Sequence, residues 1–218
     1  MGEPLKLAVL VSGRGSNLAA LIHAVSAGSC HARIVAVIAD RRSAPALDLA
    51  REHGLPTYVV AAKDYVERPQ WDEALAAQLA EVSPELVVLA GFMRLVGNAV
   101  LARFAGRIVN VHPALLPAFP GLDAPAQAIA ARVCLSGCTV HVVDAGVDTG
   151  PILAQAAVPL LPTDDAATLH ARIQKAEHAL LPAVVHAVAR GTIVLGAVPR
   201  YAGTFPSQLP SLVSPPVI

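Results

Sequence analysis

The stretch Leu5-Lys6-Leu7-Ala8-Val9-Leu10-Val11-Ser12-Gly13-Arg14-Gly15-Ser16-Asn17-Leu18 carries the fold in outline. Residues 5–11 form a short, nearly uninterrupted apolar run, which suits a parallel strand covered on both faces. Two glycines then permit a tight turn. From Leu18 onward, apolar residues recur at Leu21, Ile22 and Val25, the i, i+3, i+4, i+7 spacing of a helix buried along one stripe. A buried strand, a glycine turn and an amphipathic helix together form the opening unit of an α/β sheet.

The alternation continues down the chain. Residues 33–39, 57–60, 86–90, 108–111 and 139–143 read as further strands, most of them too apolar to have a wet face. Helices are expected over 46–53 (ended by Gly54 and Pro56), 70–82 (ended before Pro84) and 124–131. A longer helix carries Leu169, Ile173, Ala176, Leu180 and Val184 on one stripe, and Pro182 is expected to kink it. The fold class is therefore α/β, a Rossmann-like open, mostly parallel sheet with helices on both faces.

Composition sets the outer bounds. At 218 residues, a single domain buries about 70% of the surface its unfolded chain exposes. With 55% hydrophobic and only 4% aromatic residues, the core is Ala, Val, Leu and Ile rather than ring-packed, and disorder as the main state is excluded. Sixteen Lys and Arg balance sixteen Asp and Glu, which removes the broad basic footprint of a nucleic-acid partner. No apolar stretch approaches the roughly 18–20 residues of a membrane span, and the run before Ser12 is shorter than a signal peptide's. Three cysteines, Cys30, Cys134 and Cys138, suggest reduced thiols in a cytoplasm. One catalytic domain is expected over residues 1–198. A tail follows over 199–218, where Pro206, Pro210, Pro215 and Pro216 disfavour a helix or a central strand.

The turn Ser12-Gly13-Arg14-Gly15-Ser16-Asn17 opens a helix at its positive end, where backbone N–H groups of Gly15, Ser16 and Asn17 suit a phosphate. Ser16 or Asn17 could equally be a plain helix cap. A dinucleotide fingerprint is the sharper competitor, with Asp40 placed for a ribose and Arg41-Arg42 for a 2′-phosphate. Leu18 stands at the third glycine position, however, and its bulk favours a monophosphate.

The segment Ile108-Val109-Asn110-Val111-His112-Pro113 is chemically the richest. Asn110 and His112 are two residues apart and leave the strand on the same side, and Pro113 stops the strand there. Asn110 offers an amide donor to a developing oxyanion, and His112 exchanges protons near neutrality. Neither is a covalent nucleophile, so the pair suits direct attack by an external amine or water on an activated carbonyl. The strand Cys138-Thr139-Val140-His141-Val142-Val143 precedes a glycine-rich loop displaying Asp144 and Asp148, and Asp148 could orient His112. Cys134, Cys138 and His141 lack a matching second ligand pair for zinc, so no metal is expected.

Taken together, these motifs resemble the folate-dependent phosphoribosylglycinamide formyltransferases of purine synthesis, over about residues 6–197. The resemblance rests on Ser12-Gly13-x-Gly15-Ser16-Asn17, Leu89-Ala90-Gly91-Phe92-Met93-Arg94, Asn110-x-His112-Pro113-x-Leu115-Leu116-Pro117 and Asp148-x-Gly150-Pro151-Ile152. It implies a formyltransferase fold and Asn110, His112 and Asp148 as catalytic trio. It further implies that Gly15, Ser16 and Asn17 grip the ribonucleotide phosphate, with Gln174 and Glu177 completing that substrate's site. Arg68, Met93, Arg94, Leu95 and Val96 would meet the folate, together with Asn110 and the loop of Asp144, Ala145, Gly146, Val147 and Asp148. The co-substrate implied is 10-formyltetrahydrofolate, and the partners are small molecules, with neither nucleic acid nor membrane, in a monomer or homodimer.

The implied reaction is attack by the amine of glycinamide ribonucleotide on the formyl carbon. Asn110 and His112 stabilise the oxyanion, His112 helps protonate the departing nitrogen, and Asp148 positions His112 and a water. The run Leu122-Asp123-Ala124-Pro125 departs from the histidine-bearing pattern of many relatives. A formyltetrahydrofolate hydrolase uses the same trio but is expected to carry an extra N-terminal domain. A tRNA formyltransferase would need an RNA-binding portion and more positive charge. A nucleotide-binding module without chemistry leaves the trio no joint purpose.

Overall fold

The structure is a computed structural model that describes residues 2–196, 198–202 and 213–214. It divides into two compact units, Met1–Val109 and Asn110–Ile218.

The first unit contains β1 (Leu5–Val11), α1 (Ser16–Ser26), β2 (Ala32–Ala39), α2 (Ala46–Glu52), β3 (Thr57–Val59), α3 (Arg68–Val82), β4 (Leu86–Leu89) and α4 (Asn98–Arg103). Its strands run parallel in the order β4-β1-β2-β3. β1 is central, and Leu7, Ala8, Val9, Leu10 and Val11 are wholly buried, as its continuous apolar sequence requires. The chain steps from β1 to β2 and β3 on one side and then places β4 on the other. The carboxyl ends of β1 and β4 thus flank a topological switch point, where open α/β sheets bind ligands.

The strand β5 (Ile108–His112) begins in the first unit and ends in the second. The second unit continues with α5 (Ala124–Ala131), β6 (Leu135–Val142), β7 (Ile152–Pro159), α6 (Ala166–Ala189), β8 (Ile193–Val194), β9 (Arg200–Tyr201) and β10 (Val213–Ser214). β6 and β7 form an antiparallel hairpin, β10 pairs antiparallel with β7, and β8 pairs with β9. α6 begins on a reciprocal cap: Asp165 Oδ1 accepts the Thr168 N–H at 2.8 Å, and the Asp165 N–H donates to Thr168 Oγ1 at 2.9 Å.

Several elements depart from the sequence reading. β7 and the short α4 were not anticipated, and β6 starts at Leu135 rather than at residue 139. Gly137 lets β6 extend back: a Cβ there would meet the Ala156 carbonyl oxygen at 2.0 Å, so only glycine permits this close pairing with β7. α3 starts at Arg68, two residues early, because Glu67 and Gln70 make a reciprocal cap and Pro69 suits the first turn. Helix α6 runs without interruption through Pro182, and of its expected stripe Leu169, Ile173, Leu180 and Val184 are buried while Ala176 is half-buried. In the expected tail, Arg200–Tyr201 and Val213–Ser214 make short pairings, and residues 203–212 and 215–218 lie outside the described residues.

Candidate active site

At the end of β5, His112 is buried and both its ring nitrogens face acceptors. Nε2 lies 2.8 Å from the Phe119 carbonyl oxygen, and Nδ1 lies 3.2 Å from Asp148 Oδ2. A carbonyl cannot donate, so Nε2 carries a proton. Asp148 also accepts the Gly121 N–H at 2.8 Å and the Asn110 amide at 3.4 Å. Burial alone would raise the Asp148 carboxyl. Bonds from His141 and the Gly121 N–H, with the nearby charge of His112, outweigh it and hold the group below the usual carboxylate range. Asn110, His112 and Asp148 therefore meet in one cluster.

A fourth member of this cluster had been read only as a poor zinc ligand. His141 Nε2 lies 3.2 Å from Asn110 Nδ2 and 3.4 Å from Asp148 Oδ1, while Nδ1 donates to the Val142 carbonyl at 3.0 Å. The β6–β7 register shifts between Val140 and His141, and such an irregularity re-aims a side chain next to a site. The two cysteines lead elsewhere. Cys134 is exposed, whereas burial and then the charge of Glu177 push the Cys138 thiol far up, away from thiolate chemistry. Among the described residues, no group of three or more His, Cys, Asp or Glu side chains is arranged to hold a metal ion.

The hairpin also fixes the proline-rich loop. Thr139 Oγ1 donates to the Ala114 carbonyl at 2.7 Å and accepts the Leu116 N–H and Gln155 Nε2, each at 3.0 Å. Gln155 further donates to the Leu116 carbonyl at 2.8 Å. The loop carrying Asp148 closes on Gly150, where a Cβ would stand 1.8 Å from the Val142 carbonyl oxygen. Asp148 itself has φ 54°, a left-handed conformation that Asp and Asn tolerate better than most residues. Asp144 is exposed and braces this loop from within its own sequence, its Oδ1 accepting the Gly146 N–H at 3.0 Å and the Thr149 hydroxyl at 2.7 Å.

In the first unit the glycine turn leads directly into α1. Gly15 is the N-cap at φ 81°, and no side chain caps the helix, so neither Ser16 nor Asn17 plays that part. A Cβ on Gly15 would lie 2.7 Å from Ala46 Cβ, whereas one on Gly13 would meet nothing. The N–H groups of the first helical turn have no acceptor within the helix, which opens after the short turn that follows β1. Leu18 is wholly buried. Asp40 is occupied by Arg41 and Arg94 rather than open to a ribose, which removes the dinucleotide reading.

The other expected residues are placed as follows. Met93 and Leu95 are exposed, Val96 is buried, and Arg68 donates to the Leu95 carbonyl at 2.6 Å. Gln174 and the buried Glu177 stand one turn apart on α6. Ala145, Gly146 and Val147 form the exposed crest of the Asp148 loop.

This fold and cluster define an α/β enzyme with an amide, two imidazoles and a carboxylate gathered at a strand end. A formyl transferase family model matches residues 5–185, and the chain belongs to that family. It is 50% identical over 194 residues to the phosphoribosylglycinamide formyltransferase of Mycobacterium tuberculosis, covering 88% of this chain and 89% of that one. It is 39% identical over 180 residues to the Bacillus subtilis protein of the same name, covering 83% and 92%. The crystal structure of glycinamide ribonucleotide transformylase 1 from Symbiobacterium toebii matches with a TM-score of 0.90 and 42% identity, covering 93% of this chain and 96% of that one. The open, mostly parallel α/β sheet expected from the sequence is the fold of these relatives. Among the described residues, no helix is long and apolar enough to cross a membrane.

Proposed function

We propose that this chain transfers the formyl group of 10-formyltetrahydrofolate to the amine of glycinamide ribonucleotide in purine synthesis, with Asn110, His112 and Asp148 as the reacting cluster. The observation that carries this reading is the hydrogen-bonded meeting of these three side chains in a member of the formyl transferase family.

The amine nitrogen attacks the formyl carbon, and the carbonyl bond opens to an oxyanion. Asn110 and His112 present N–H groups to that oxygen. His112 Nδ1 is committed to the half-buried Asp148 carboxylate, so Nε2 exchanges the Phe119 carbonyl for the substrate. Collapse of the intermediate breaks the bond to the folate nitrogen, which takes a proton from His112. The proton lost by the attacking amine passes through water held at Asp148 to His112, which regains the one it gave to the folate nitrogen. Each proton released is thus matched by one taken up.

The first-turn N–H groups of Gly15, Ser16 and Asn17 bind the ribonucleotide phosphate, and Gln174 and Glu177 bind the same substrate. Arg68, Met93, Arg94, Leu95 and Val96 meet the folate, as do Asn110 and residues 144–148. The enzyme works on small molecules in the cytoplasm, as a monomer or homodimer. The test follows loss of the formyl group by absorbance with and without glycinamide ribonucleotide. Loss that depends on the acceptor is expected, whereas equal loss in both samples means hydrolysis and overturns the reading.

A further inference from the structure

The carboxylate that follows β2 has no part in the reaction above, yet it is built into the first unit with care. The Asp40 side chain has 0% exposure. Arg41 Nε and Nη2 lie 3.2 and 3.3 Å from its two oxygens, and Arg94 Nε donates to Oδ2 at 2.7 Å. Burial would raise this carboxyl, but the bonds from Arg41, Ser12 and Arg94 hold it below the ordinary range as a fixed anion. The Arg94 guanidinium lies 5.7 Å from the Trp71 ring centroid. Trp71 is buried, held by Nε1 donating to the Val60 carbonyl at 2.8 Å and stacked on Phe92.

Residues 90 and 91 continue the pairing with β1, the Ala90 N–H donating to the Leu10 carbonyl at 2.9 Å and the Ser12 N–H to the Gly91 carbonyl at 3.2 Å, but residues 92–96 have no regular secondary structure and no such ladder fixes their shape. Side chains do so instead. Ser12 Oγ accepts the Met93 N–H at 2.9 Å, and Arg68 donates to the Leu95 carbonyl at 2.6 Å. Asp72 accepts the Gly97 and Ala99 N–H groups, each at 2.7 Å. Asp40 supplies the anchor in the middle, through Arg94. A segment left loose would lose its conformational freedom on binding and weaken the ligand it receives.

We propose that Asp40 is a positioning residue for the folate-binding segment, holding residues 93–96 through Arg94 in the conformation that receives the formyl donor. The inference rests on the reading that this segment meets the folate. Arginine suits the task because one planar group both stacks on Trp71 and bonds the carboxylate, which a lysine does not do.

Steady-state kinetics of the full chain test it. Asp40→Asn puts an N–H against the guanidinium. It is expected to raise KM for the formyl donor about tenfold, with kcat and the ribonucleotide KM within about twofold, since a charge-assisted bond is lost. Because the effect passes through Arg94, Asp40→Asn added to Arg94→Leu raises the donor KM no further. The single tryptophan, Trp71, gives a second readout, with altered emission expected in Asp40→Asn. An unchanged donor KM in Asp40→Asn, or full additivity in the double variant, overturns the proposal. If Asp40→Asn does not fold, Asp40→Glu, which keeps the charge but displaces it, decides by the same donor KM. Leu95→Asp separates the two readings. A donor KM unchanged by it removes the segment's role and the inference together. A raised value there, with Asp40→Asn unchanged, removes the positioning alone.

Discussion

His112 Nδ1 lies 3.2 Å from Asp148 Oδ2, and the same oxygen accepts the Gly121 N–H at 2.8 Å. One half-buried carboxylate therefore fixes both the imidazole at the end of β5 and the loop that follows it. The link joins strand chemistry to loop geometry, because Asp148 enters the cluster from a left-handed backbone at φ 54°.

Asp148→Asn tests that link with the fold preserved, since asparagine tolerates φ 54°. The neutral amide no longer stabilises imidazolium. We expect kcat to fall about 10²–10³-fold, as for loss of a partner in proton transfer, with a smaller rise in the donor KM and little change in the ribonucleotide KM. Full kinetic profiles of both substrates check this.

His141 contacts both Asn110 and Asp148, so His141→Ala leaves the cluster without one of its supports. A decrease of about tenfold in kcat is expected, the loss of roughly one buried polar interaction. Thermal unfolding of the same preparation checks that the fold survives.

Gly15→Ala strains the phosphate turn twice, through φ 81° and through a Cβ placed 2.7 Å from Ala46 Cβ. A stability loss of about 1–3 kcal/mol is expected, together with a raised ribonucleotide KM. Gly13→Ala has open space at its Cβ and is expected to be the milder change. Urea unfolding and substrate titration compare the two.

The lowered carboxyl of Asp148 also sets an acid dependence. In the unfolded chain an aspartate titrates at about 3.9, above its native value here. Its stabilising contribution is complete above that ordinary value. It is lost as pH falls from there through the native value, because the unfolded chain takes up the proton first. Asp148→Asn is therefore expected to flatten the decline of unfolding free energy below about pH 4, measured by urea titrations in acid.

Much of this arrangement is legible in the linear sequence, and what escapes has physical causes. The continuous apolar residues of β1, the glycine turn and the Leu18-Leu21-Ile22-Val25 stripe announce a covered parallel strand and its helix. The two-residue spacing of Asn110 and His112 places them on one side of a strand. By contrast, β7 reads Ile-Leu-Ala-Gln-Ala-Ala-Val-Pro, whose alanines carry little strand propensity, and its pairing with β6 decides its structure. His141 was masked by two cysteines at a suggestive spacing, and the register shift beside it has no sequence signature. Asp40 sat where a ribose ligand would, and only its burial against two arginines shows that it serves the protein itself.

The most direct test of the reacting cluster is the single-turnover rate of formyl transfer in Asn110→Ala and His112→Ala, with both substrates saturating and folding checked by thermal unfolding. The account requires each rate to fall by about 10²-fold or more, the usual cost of losing an oxyanion donor. Rates within a few-fold of the parent enzyme in well-folded variants would contradict it.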